Sequence, residues 1–159
     1  MQGSDIFVTS NPLGVYIEGT ISGTPKPGTV MQIKAATEPS LGLFTWEVFN
    51  ADSDGDQRLI AILLEDKLQG KTYSDAYVTG SHGYLYIPIA GEQFNMLVAA
   101  TGTGTGDTQA IGALYIVEDA TGLLIATTGT PESEPFICLE TQTDVVAAGT
   151  LTRVMFTGY

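Results

Sequence analysis

The chain has 159 residues, enough for one domain with a sizeable core, and carries a formal charge of −12 from 18 acidic and 6 basic residues. That charge repels phosphate backbones and anionic bilayers, which argues against nucleic acid and membrane partners. No apolar run approaches the roughly 18 residues of a membrane span, and the start, "MQGSDIFVTSNPLG", lacks the basic and apolar parts of a signal peptide, so synthesis in a cytoplasm is the simpler reading.

In chain order, residues 1–13 read as an N-terminal arm. "GVYIEGTIS" then sets Val15, Ile17 and Ile21 against Tyr16, Glu18 and Thr20. "GTPKPG" is a loop, and "TVMQIKAA" sets Met31, Ile33 and Ala35 against Gln32 and Lys34. "LFTWEVF" places Phe44, Trp46 and Val48 opposite Thr45 and Glu47. Each is a strand with one face covered. "LEDKLQGKTYSDAYVTG" is the one helical candidate, because Leu64 and Leu68 are four apart, and it holds a turn or two at most. In "YLYIPI", Pro88 removes a ladder donor and points to an edge strand or a bulge. Further strands are expected at 113–118, 123–127, 135–141 and 150–156, with "GTPESEP" a loop between them. Nineteen glycines supply the turns of an all-β barrel or sandwich with many short strands. The tract "TGTGTG", 101–106, is either a linker between lobes 14–100 and 107–159 of one domain or a long hairpin loop.

Motifs that suggest chemistry fail on spacing. Asp52, Asp54 and Asp56 fill the first acidic positions of a calcium loop, but Gly55 comes two residues early and Leu63 stands where the bidentate glutamate belongs. A solvated turn is the plainer reading, with weak cation binding its rival. "GKT" at 70–72 needs a glycine where Glu65 stands, and the alternating glycines at 101–107 lack the strand, turn and helix of a dinucleotide site. His82, the single histidine, sits between small turn-forming residues, and Cys138, the single cysteine, reads as a buried hydrophobe. No set of residues supports catalysis, and no metal or cofactor is called for. The tyrosines and Trp46 fit cores and interfaces, or a platform for sugars.

The segment from Arg58 to Ala99 resembles the central part of capsid decoration, or cement, proteins of tailed bacteriophages. The matching residues are Ala61, Leu63 and Glu65 of an "A-x-L-x-E" strand and the "GE" pair Gly91 and Glu92. The closing part is similar to that of longer members, with Asp119, Gly122 and Leu124 in a "D-x-x-G-x-L" hairpin and Leu151, Arg153 and Val154 in a final "L-x-R-V" strand. "KPGTVMQI" resembles the opening strand. Cys138, where a small residue is usual, and the strongly acidic "DSDGD" depart from the pattern.

The resemblance implies a small β-barrel or tulip-like domain that trimerises on the capsid exterior, binds the major capsid protein and holds neighbouring capsomers together. A cement role needs broad contacts and multivalency rather than an active site. Ile6, Phe7, Val8 and Pro12 are the expected capsid contacts, since an extended arm can add a strand to another protein's edge; an ordinary first strand is the competing reading. Two rivals remain: a carbohydrate- or cell-surface-binding module of a phage fibre or spike, stacking Trp46 or tyrosines on sugar, and an enzyme using the aspartates with a divalent metal.

Overall fold

A computed structural model describes residues 6, 13–34, 43–50, 59–66, 68–100, 107–118, 120–127, 135–146 and 148–158. Those residues form twelve strands and no helix: β1 (Val15–Ile21), β2 (Val30–Ile33), β3 (Thr45–Val48), β4 (Ile60–Leu63), β5 (His82–Ile87), β6 (Gln93–Ala99), β7 (Asp107–Gln109), β8 (Leu114–Val117), β9 (Leu124–Thr127), β10 (Phe136–Cys138), β11 (Gln142–Val145) and β12 (Thr150–Phe156). The all-β class expected from the sequence is what the chain adopts.

Two compact units result, the first built on Gly14–Pro88 with Asp119–Gly122, the second on Ile89–Glu118 with Leu123–Tyr159. Each contains a closed five-stranded barrel, in the orders β1-β3-β2-β4-β5 and β10-β12-β6-β9-β8, and β11 pairs with β7 in a separate ribbon. Closure leaves no edge in either barrel. Pro88 accordingly marks no edge strand: β5 is paired on both sides and stops at Ile87, so the missing donor falls just outside the ladder.

Inside the first barrel, alternate residues converge. Ile21, Met31, Trp46, Ala61, Leu63 and Leu85 are fully buried together with Tyr77 from the long β4–β5 connection. The Tyr77 hydroxyl donates to the Leu64 carbonyl at 3.0 Å, which satisfies its one polar group in the core. Gly19 makes room for the indole: a Cβ there would lie 2.3 Å from Cδ1 of Trp46. In the second barrel, Phe94, Met96, Val98, Tyr115, Leu124, Phe136, Cys138, Thr152 and Val154 are buried on the corresponding face.

The two barrels are the same construction. Each has one parallel pair, joining its first strand to its third, with Ile21 opposite Trp46 in one and Val98 opposite Leu124 in the other. A long antiparallel ladder joins first strand to last, with Ile17 opposite Leu85 and Phe94 opposite Val154. The fourth strand follows the same register against the last, Leu63 opposite Leu85 and Cys138 opposite Val154. The second strand completes both rings: Met31 faces Ala61 and Val48, and Tyr115 faces Phe136 and Ala126. All five ladders therefore match in order, direction, register and inward face.

The connection between β4 and β5 is not helical. Asp66 Oδ1 accepts the Leu68 and Gln69 amides, at 3.0 and 3.1 Å, and the Asp66 and Lys71 backbones bridge. A side chain bonding the amides two and three residues on caps a single turn, and the reciprocal Asp66–Lys71 backbone bonds close that turn instead of letting it run on into a helix. Leu64 is buried and Leu68 stands 95% exposed, so the four-residue spacing marks no shared face.

Candidate functional site

Of the expected contact residues, Ile6 is 2% exposed, and Phe7, Val8 and Pro12 lie outside the described residues. Asp52, Asp54, Asp56 and the tract 101–106 also lie outside them. Cys138 points into the second barrel and its thiol donates to the Glu140 carbonyl at 2.9 Å. Lys71 of the "GKT" triplet donates to the Ala76 carbonyl at 2.8 Å, and Thr72 donates to Asp75 Oδ2 at 2.6 Å. That hydroxyl, chiefly, holds the Asp75 carboxyl below its ordinary range. Among the described residues no group of three or more His, Cys, Asp and Glu could hold a metal ion.

Glu92 has a role that the sequence left unread. It is buried, and its two carboxylate oxygens accept the Leu13 amide at 2.6 Å and the Ile89 amide at 2.8 Å. It closes a turn in which its own amide donates to the Ile89 carbonyl and Gly91 takes φ +94°. The "GE" pair is thus a left-handed turn followed by an anion that pins the residue just ahead of β1. In the "D-x-x-G-x-L" hairpin, Gly122 has φ +64°, its carbonyl accepts the Val30 amide at 2.9 Å, and a Cβ would lie 2.4 Å from the Val30 oxygen.

Trp46 is fully buried and unavailable to any ligand, as are Tyr77, Tyr86 and Tyr115. The outward face of the β1–β5 ladder is different. Tyr16 stands opposite Tyr86, Glu18 opposite Tyr84 and Thr20 opposite His82. Tyr16 is 58% exposed and Tyr84 39%, and Glu18 and His82 are also exposed. Tyr86 is buried against Gly14: a Cβ on Gly14 would lie 2.6 Å from its Cζ, and the Gly14 amide donates to its hydroxyl. The Tyr16 ring is braced edge-on against it, centroids 4.9 Å apart at 65°. His82, expected in a turn, opens β5 instead.

The fold has a counterpart among phage head proteins. The chain is similar to the N base of the head fiber protein gp8.5 of bacteriophage phi29, with a TM-score of 0.52 and 8% sequence identity. The likeness covers 91% of this chain and 95% of that one, so it takes in both barrels and is a likeness of fold. The sequence matches no family model and no curated protein.

Proposed function

We propose that this chain is a structural protein of a tailed-phage virion, made in the host cytoplasm and held on the outside of the head. The observation that carries the reading is the fold shared, along nearly the whole chain, with the base of a phage head fiber. Closed barrels suit the role, since they expose no ladder edge to chance pairing and resist local opening. The finer reading is that of a cement protein: a homotrimer bound to the major capsid protein, bridging capsomers, with affinity from contact area and multivalency. In it, the arm 1–13 carries Phe7, Val8 and Pro12 to the shell, Ile6 is packed within the chain itself instead, and no reaction is catalysed.

The test is sedimentation of the purified chain with phage heads that lack it, expanded and unexpanded, alongside light scattering of the free protein. Saturable binding to expanded heads by a trimer supports the whole reading. Binding by a monomer keeps head attachment and removes the trimer. Absence of binding to either form of head overturns the proposal.

A further inference from the structure

The outward face of the β1–β5 ladder has an equivalent in the second barrel, and the two differ in what covers them. In the second barrel the face consists of Gln93, Asn95 and Leu97 on β6 with Leu151, Arg153 and Met155 on β12. All six are buried or half-buried, and the Arg153 Nε is out of reach of solvent. In the first barrel the matching positions are Tyr16, Glu18, Thr20, His82, Tyr84 and Tyr86, and four of these are open to solvent. The same face is buried or half-buried at all six positions in one barrel and open to solvent at Tyr16, Glu18, His82 and Tyr84 in the other.

What it offers is specific. Tyr16 and Tyr84 are diagonal neighbours across the ladder, roughly 7–8 Å apart at Cα. The Tyr16 ring is held by Tyr86, so it presents an apolar surface without losing side-chain entropy when a ligand arrives. Glu18, directly opposite Tyr84, supplies a carboxylate acceptor, and His82 a further polar group at the end of the strip. Ring faces with hydroxyl-accepting groups between them match the two-sided chemistry of a sugar, which has C–H groups on one side and hydroxyls around its edge.

Charge narrows the occupant. Among the described residues of this ladder none is a lysine or arginine, and the chain as a whole carries −12. Anionic glycans and phosphate-bearing polymers are therefore repelled, and a second copy of the chain brings the same negative charge to the interface. We propose that the Tyr16–Glu18–Tyr84–His82 face is a binding site for a neutral carbohydrate, with the tyrosines stacking on sugar rings and Glu18 accepting hydroxyl protons. The site is separate from attachment to the head and stands or falls independently of it.

The experiment is affinity electrophoresis of the full chain through native gels containing laminarin, mannan, amylopectin or dextran, with alginate as an anionic control. Retardation by at least one neutral polymer is expected, weakened about tenfold by Tyr16→Ala and by Tyr84→Ala, as loss of one stacking contact implies. Leu68→Ala, at an exposed apolar residue off this face, leaves retardation unchanged. Circular dichroism melts confirm that each variant is folded; if an alanine variant is not, Tyr16→Ser and Glu18→Gln replace it.

No retardation by any neutral polymer overturns the proposal. So does retardation that folded Tyr16 and Tyr84 variants retain, or retardation by alginate alone. If the variants instead lose binding to phage heads while the parent ignores all four neutral polymers, the face is a protein contact and the inference fails.

Discussion

The two barrels solve one packing problem in opposite ways. In the first, Trp46 on the third strand fills the interior against bare backbone at Gly19 on the first. At the matching positions of the second stand Leu124 and Met96, both fully buried, so the volume moves from the third strand to the first. Ladder order and register stay fixed through this exchange. Topology therefore tolerates redistribution of side-chain volume, as long as each interior is filled.

That equivalence can be broken at its centre. Trp46→Ala should cost about 3–5 kcal/mol, the largest effect expected, read from urea midpoints. Gly19→Met alone should cost about 1–3 kcal/mol by overpacking. Combining Gly19→Met with Trp46→Leu transplants the second barrel's solution and should recover more than 1 kcal/mol relative to the summed single costs, as about that much coupling is ordinary for touching residues. Strict additivity would show that the positions are not equivalent.

Gly122→Ala tests a backbone constraint that packing cannot relieve. The residue needs φ +64° and has the Val30 oxygen against it, so about 1–3 kcal/mol of stability should be lost. Glu92→Ala removes the acceptor of two amides and should cost about 1–3 kcal/mol, with faster hydrogen exchange at Leu13 as the local sign. Unchanged exchange there would mean that Glu92 does not hold the segment.

A subtler contrast sets Tyr77 against Tyr115. Tyr77→Phe leaves the Leu64 carbonyl without its donor and should cost about 1 kcal/mol. The Tyr115 hydroxyl is buried with only the weakly bonding Cys138 thiol beside it among the described residues, so Tyr115→Phe should be neutral or stabilising. Burial, as the first cause, raises both phenols above their ordinary value of 10.0. The unfolded chain therefore releases these protons first, and stability falls as the pH climbs past about 10. Melts between pH 9 and 11 should show a shallower decline for either phenylalanine variant than for the parent.

Much of the fold was legible because alternation is a local signal. The faces read from Ile17 and Ile21, from Met31 and Ile33, and from Trp46 and Val48 are the inward faces of the first barrel, whereas Val15 and Phe44, read on the same faces, are exposed. β7 and β11 were not legible. "DTQ" adjoins a Gly/Thr tract, and "QTDV" is polar and contains a left-handed Asp144, φ +58°. The internal repeat was hidden for two reasons. Equivalent positions hold different side chains, such as Gly19 and Met96, and the spacing between equivalents changes from strand to strand, because loops of unequal length separate them. The exposed tyrosines sit between these cases. Alternation puts Tyr84 and Tyr86 on one face, yet only the fold shows that Tyr86 is covered and Tyr84 open. The role of Glu92 was out of reach, since its partners, Leu13 and Ile89, are fixed by tertiary approach.

The turn between β8 and β9 bears on how such a protein can be cut. Its residues Asp119–Gly122 belong to the first unit, where Gly122 receives the Val30 amide and the Ala120 amide reaches the Phe49 carbonyl at 3.0 Å. A fragment ending at Pro88 would lose both bonds. The repeat is therefore not a pair of interchangeable cassettes: a swap between homologues that exchanges the second half must carry a turn compatible with the first. Compensating changes should gather around Val30, Phe49 and Gly122 rather than at a linker.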